Sequence, residues 1–388
     1  MSFTTEKKIT SAYPFRAPGS TLTPEDTLKL VYFKYKSTVP IPSSKQKFNL
    51  IFCHGTGFNK SVWTYYVQQL YATCQTKDTA WCIDSVLAID QIGHGDSSLE
   101  NAGKLGPIVR WDEGGKDVIE VIKHEVATTG DFNNVESRNV VIGHSMGGFN
   151  AIYASFHEPS LIDACVPIEP VIYGEPDGLN KFKKIFGKIG RIMIDEFDNY
   201  QDVEFFFKKF SFYKNFHPSV LQDFMDDEIV KVVNSDNQVK YKLKCNKPNQ
   251  MSAYLGAFMS ISIGMHILSL IRVPIFHIIG AKAVWNPPNS VPWIRANINP
   301  EFSGEHFDIA QGEHLVNGEK PDEVIAVIEQ ILNNRVEKIP QEVGKVPQGD
   351  KEIIAREQFQ NLLDMKFDQV YGYFLEHRDP LESLKLKL

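Results

Sequence analysis

Short apolar runs alternate with amphipathic stretches along most of this chain. Leu28 to Tyr35 alternates loosely as a strand, and Phe48 to Cys53 has the unbroken apolar pattern of a fully buried one. Val62 to Thr73 has helical spacing. Val86 to Asp90 is a second short strand that breaks at Gln91-Ile92-Gly93-His94-Gly95-Asp96-Ser97. Asp112 to Ala127 sets Val118, Ile119, Ile122 and Val126 in helical register. The run Asn139 to Ile142 then predicts a strand, Met146 to about His157 a helix, and Ala164 to Ile168 a buried strand ending at Glu169-Pro170. Val273 to Gly280 and His306 to Ala310 read as later strands, and Pro321 to Leu332 as the closing helix. Strand, helix, strand is the rhythm of an α/β fold: a mostly parallel sheet flanked by helices.

The rhythm fails twice. From about Glu175 to Leu270 lysines and aromatic residues dominate, as in Phe205-Phe206-Phe207-Lys208-Lys209-Phe210-Ser211-Phe212-Tyr213, which predicts a helical insertion. Within it Ala253 to Ile271 is the most apolar stretch, but glycines, serines and His266 interrupt it. A buried helix pair fits better than a transmembrane span. Arg335 to Asp350 reads as a polar linker. Beyond it Ile353, Ile354, Phe359, Leu362, Leu363, Phe367, Val370 and Phe374 repeat at helical spacing as one amphipathic arm, able to pair two chains in a homodimer or to pack on its own domain. The expected organisation is a core over 1–174 and 271–335, a helical cap or lid over 175–270, and a linker with C-terminal helical arm over 336–388.

Composition narrows the partners. A formal charge of −7 over 388 residues leaves no general basic surface, which disfavours nucleic acid and anionic membranes. Five cysteines, an odd set without C-x-x-C spacing, argue against a disulfide framework and a zinc site, and for a reducing compartment. Met1 to Ser20 lacks a continuous apolar core, so neither a secretory signal nor a membrane anchor is visible there.

The candidate chemistry centres on Gly143-His144-Ser145-Met146-Gly147, a G-x-S-x-G turn between a strand and a helix. A serine hydroxyl is a poor nucleophile, so acyl transfer needs a base, a group that orients the base, and donors for the developing oxyanion. His314, in a Gly-flanked loop after the last strand, is the expected base. The backbone N–H of Met146 and one from Thr56, with Gly57 next, are the expected oxyanion donors. The loop Gly280 to Pro288 has no carboxylate, so Glu169 is the expected acid, with Asp177 and Asp308 as alternatives. Phe205, Phe206 and Phe210 are expected to bind the acyl part of a substrate, or else to fill the core of the cap. His277, inside a strand, reads as a core residue. His94 and Asp96 read as parts of a tight turn rather than metal ligands; dinucleotide, Walker and H-E-x-x-H motifs are missing, and no cofactor or metal is expected.

With these residues in place the chain resembles the α/β-hydrolase superfamily over about 28–335. A narrower likeness is to the peroxisomal lipases of yeasts, carried by Gly143 to Gly148, Trp111 to Val118, Trp285-Asn286-Pro287-Pro288 and Gly312 to Asn317. The resemblance implies a serine hydrolase acting on small-molecule acyl esters through an acyl-enzyme, with the insertion as a lid. Acyl-CoA thioester hydrolysis is the nearest rival, with Lys181, Lys183 and Lys184 able to meet a CoA phosphate. A non-catalytic interaction scaffold is a further alternative. The chain ends Leu386-Lys387-Leu388, close to the peroxisomal address S-K-L but with Leu where a small residue is usual. It predicts a peroxisomal import receptor as partner and location in the peroxisomal matrix, with the cytoplasm as the alternative.

Overall fold

The computed structural model describes residues 2–175, 178–233, 237–344 and 348–376. The targeting-like tail and Asp177 lie outside them. Two compact units are present, 1–331 and 332–388.

Unit one is built on an eight-stranded sheet. Its strands are β1 (Phe3–Ser11), β2 (Lys29–Ser37), β3 (Gln46–Cys53), β4 (Trp81–Ile89), β5 (Ser137–His144), β6 (Ala164–Ile168), β10 (Ile278–Gly280) and β11 (Phe307–Ile309), in the order β1-β2-β4-β3-β5-β6-β10-β11. From β4 to β11 all neighbours are parallel; β1 and β2 are antiparallel additions. The sequence pattern does not announce β1. It is an edge strand whose residues are mostly exposed, so Lys, Glu and Thr replace the apolar alternation that marks a half-buried strand. The strand expected from Val273 shortens to β10 because Pro274 cannot donate to a ladder.

Between strands run α1 (Thr64–Thr76), α2 (Gly95–Glu100), α3 (Trp111–Thr129) and α4 (Met146–His157). Val118, Ile119 and Ile122 of α3 and Phe149 and Ile152 of α4 join Ile51, Leu87 and Val141 of the sheet in one apolar core.

The insertion after β6 holds α5 (Gly178–Ile192), β7 (Glu196–Phe197), α6 (Tyr200–Phe205), α7 (Pro218–Glu228), β8 (Ile229–Val233), β9 (Val239–Leu243) and α8 (Lys247–Ile267). It is not purely helical: β7, β9 and β8 form a small antiparallel sheet. The apolar stretch expected as a helix pair is the single helix α8. By length and composition it could cross a bilayer. In this fold, however, Ala253, Gly256, Ala257, Ser260, Ile261 and Gly264 form a buried face packed on α3, α4 and α5. Glycine at 256 is required there, since a Cβ would come within 2.3 Å of the Val109 carbonyl oxygen.

A buried ionic cluster ties the insertion to the sheet. Lys60, wholly buried, contacts Asp90 (2.8 Å) beyond β4, Asp96 (2.9 Å) in α2 and Asp227 (2.8 Å) in α7; Lys244 bridges Asp96 and Asp227 again. Losing the Lys60 cation leaves the wholly buried Asp90 carboxylate without an ion pair, beside Asp96 and Asp227, which keep Lys244 between them. Lys60→Met should therefore destabilise the fold by about 3–5 kcal/mol, read from urea unfolding; a loss below about 1 kcal/mol would show the cluster to be solvated.

After β10 come α9 (Ser290–Asn297), then β11, α10 (Val316–Glu319) and α11 (Pro321–Val343). α11 overruns the expected end at Leu332 and takes up part of the expected linker; Arg335 and Glu342 pair two turns apart (2.6 Å). In unit two the single arm read from the sequence is two helices, α12 (Lys351–Leu363) and α13 (Phe367–Glu376), separated where Met365 adopts a positive φ of 57°.

Candidate active site

The site lies at the carboxyl ends of the parallel strands, where an open α/β sheet leaves room for ligands. Ser145 sits between β5 and α4 with φ 55° and ψ −115°, a conformation rare for a residue with a side chain. Two glycines permit the turn: a Cβ on Gly143 would lie 2.0 Å from the Gly147 carbonyl oxygen, and one on Gly147 2.2 Å from that of Cys53. The Ser145 amide is held by the Ile168 carbonyl (3.0 Å).

His314 follows β11. Its Nε2 is 3.1 Å from Ser145 Oγ, and its Nδ1 is 3.1 Å from Glu169 Oε2. Glu169 leaves β6 with a positive φ of 46°, its own amide donating to the Ile278 carbonyl (2.9 Å). Its other oxygen accepts the Gly280 N–H (2.9 Å), while the Asn286 amide donates to Oε2 (3.3 Å). Three donors thus converge on one carboxylate. Burial pushes Glu169 up, to about 8, against the Gly280 and Asn286 donors, and pulls His314 down, to about 3. Of the alternative acids, Asp308 is exposed and paired with Arg295.

Other contacts fix the imidazole, and sequence reasoning missed them. Trp285 stacks on the His314 ring (5.2 Å between centroids, 16°), and His144 donates from Nε2 to the His314 carbonyl (2.8 Å). In the sequence His144 stands only as the variable position of the G-x-S-x-G turn, and Trp285 and Asn286 carry a resemblance without a role.

As the first residue of α4, Met146 has an N–H with no carbonyl one turn earlier to receive it. Thr56 is beside it, its hydroxyl 3.5 Å from Met146 Sδ. Gly57 departs from expectation: its N–H donates to His94 Nε2 (3.2 Å), which removes it as a free donor. His94 is engaged in this way, and Asp96 in the Lys60 cluster. His277 is buried, as a core residue is. Among the described residues no three His, Cys, Asp or Glu side chains are grouped as a metal would need.

Ser145 and His314 open into a cavity of about 510 Å³, lined also by Thr56, Ile185, Phe210, Phe212, Tyr213, Tyr254 and Trp285. Of the three expected aromatic residues only Phe210 reaches it. Phe205 and Phe206 line a separate open pocket beside Phe197, because the π-helical turn Phe206–Phe210 shifts the register after α6. The arrangement can accept a proton from Ser145 and hold an apolar group above it.

A profile of the alpha/beta hydrolase family matches residues 50–327. The peroxisomal membrane protein LPX1 of Saccharomyces cerevisiae is 31% identical over 361 residues, 89% of this chain and 91% of that one. The solved structure of peroxisomal alpha-beta-hydrolase Lpx1 from the same yeast superposes with a TM-score of 0.79 at 29% identity, covering 96% of this chain and 98% of that one. A type I acyl-CoA thioesterase, mpaH of Penicillium roqueforti, is 26% identical over 178 residues, 45% of this chain and 38% of that protein. The likeness to Lpx1 supports the peroxisomal location expected from the sequence. With the family profile matching residues 50–327, well over half of its length, the chain belongs to the alpha/beta hydrolase family.

Proposed function

We propose that this hydrolase cleaves carboxylic acyl esters through an acyl-enzyme on Ser145. The observation that carries the reading is the unbroken line Glu169–His314–Ser145 on the floor of an apolar cavity. His314 takes the Ser145 proton as Oγ attacks the ester carbonyl, and the amides of Met146 and Thr56 receive the oxyanion. His314 then protonates the departing alcohol, and water repeats the sequence to release the acid. Residues 175–270 act as a cap over the acyl group, the core being 1–174 and 271–335. The C-terminal tripeptide engages a peroxisomal import receptor, and the arm from 336 pairs two chains.

The test is labelling by a fluorophosphonate, which should modify Ser145 and no other serine, followed by turnover of p-nitrophenyl esters of graded length beside acyl-CoA thioesters. Folded protein that takes no label would favour a non-catalytic scaffold. Thioesterase activity is the second reading, favoured by the partial match to mpaH; faster turnover of the thioesters would establish it.

The pH dependence follows from burial. A Glu169 carboxyl raised to about 8 keeps its proton at neutral pH, and only its ionised form holds Nδ1–H and leaves Nε2 free for the serine. The pair loses that proton as one unit. The value of kcat/KM should accordingly rise from pH 6 to pH 9, with a midpoint far above the ordinary carboxylate range near 4.3. A profile already flat above pH 6 would contradict the raised value.

A further inference from the structure

The net charge of −7 hides a local opposite. Helix α5 carries Lys183, Lys184, Lys188 and Arg191, all exposed, and no carboxylate occurs between Gly178 and Ile194. Three other cations of the insertion are matched, Lys208 by Glu204, Lys240 by Asp198 and Lys242 by Glu196, whereas Lys214, at the cavity over Ser145, has no ion pair among the described residues. No ion pair joins the four of α5 to any described residue.

These cations run beside an apolar rim. Lys184, Lys188 and Arg191 recur at i, i+4 and i+7, one step from Ile185, Ile189 and Ile192. Ile185 lines the cavity over Ser145. Ile189 and Ile192 line an adjoining pocket that shares Phe210, Phe212 and Tyr213 with it. An open pocket continues from there past Ile194, Phe205 and Phe210; of its three carboxylates, Glu196 and Asp198 are neutralised by Lys242 and Lys240, and Asp202 has no cation partner among the described residues. Phe205 and Phe210 are each 64% exposed, Phe212 51% and Ile192 45%. Single exposed apolar residues are ordinary; a connected set around a cavity mouth, edged by unmatched cations, is the pattern of a surface that lies in a membrane interface.

We propose that this rim docks on an anionic lipid bilayer, with the α5 cations at the headgroups and Phe205, Phe210, Phe212 and Ile192 in the acyl boundary. The cavity over Ser145 then opens towards lipid. Charge complementarity selects the anionic surface, and the apolar rim selects a bilayer over a soluble anion such as a CoA phosphate, which offers little to cover those rings. That the docked lipid is also the substrate rests on the ester-hydrolase reading; the docking does not.

Sedimentation of the full chain carrying Ser145→Ala, which leaves lipids uncleaved, tests the docking. It should partition to phosphatidylcholine vesicles containing phosphatidylglycerol, and weakly to phosphatidylcholine alone. Each cation contributes roughly a factor of five, so adding Lys184→Gln, Lys188→Gln and Arg191→Gln should cut partitioning about 100-fold. Phe205→Ser should cut it about tenfold. In the Ser145 background both sets should hydrolyse p-nitrophenyl acetate as the unaltered protein does. A chain that stays in the supernatant, or variants that sediment as well as the parent, would overturn the proposal. So would a triple variant that binds vesicles normally but has a raised KM for an acyl-CoA thioester, since the cations would then serve a soluble anion. If even the unaltered protein left the acetate ester intact, the hydrolase reading would fail while sedimentation still decided the docking.

Discussion

Replacing His314 with Ala should lower kcat for a p-nitrophenyl ester by about six orders of magnitude, as removal of the base does in serine hydrolases such as subtilisin. Among the described residues only one imidazole nitrogen is hydrogen-bonded to Ser145 Oγ, at 3.1 Å. The neighbouring His144 cannot substitute, because its Nε2 is committed to the His314 carbonyl. The fold should tolerate the change. His314 borders a cavity that is already open, and its backbone keeps the His144 bond, so the lost ring leaves little new void. Circular dichroism and the unfolding midpoint should stay near those of the parent protein while the ester assay collapses. Residual activity above about one per cent would remove His314 as the base.

What could be read from the sequence was what neighbours along the chain determine. The turn around Ser145 is such a case: strand, glycines and helix are contiguous, and the clash distances at Gly143 and Gly147 are local consequences of that contiguity. Long-range partners left weaker signals. Nothing near Gly57 shows that its amide is taken by His94, since that bond spans 37 positions. Nor does Trp285 carry any mark of the ring it stacks on. The aromatic run from Phe205 to Tyr213 misled for a different reason. A single π turn redirects side chains that regular helical spacing would align, so Phe210 faces the cavity and Phe205 does not. Polarity concealed β1, and the small sheet in the insertion escaped notice because its strands span two to five residues, too short for a period to show. The C-terminal break at Met365 needs one residue with positive φ in an otherwise apolar helical pattern, which periodicity does not register.

The sequence points to Glu169 by elimination, and its environment supplies a sharper test than simple removal. Glu169→Gln keeps the size and the β6 end but replaces an acceptor with an amide whose NH₂ can donate to an unprotonated Nδ1, so the imidazole is held in the wrong tautomer, with its proton on Nε2 facing Ser145. The expected loss in kcat is about four orders of magnitude, as for neutralising the acid of a Ser-His-Asp triad. A carboxylate that only caps the β6 turn would give a small change in kcat and a loss of stability instead. Asn286 separates the two. Its amide already touches Glu169 Oε2, the oxygen that faces Nδ1, so an acid at position 286 would stand within reach of the same nitrogen. In Glu169→Gln with Asn286→Asp the charge returns from the opposite loop, and kcat should recover at least tenfold over the single variant. Asn286→Asp alone sets two buried carboxylates against each other and should push the rising limb of kcat/KM to still higher pH. If Glu169→Gln cost less than tenfold, Glu169 would have no part in orienting His314. If it cost four orders that Asn286→Asp could not recover even in part, the orienting function would depend on the position of Glu169 itself, held by the Gly280 amide and the strained φ of 46°, and not on charge alone.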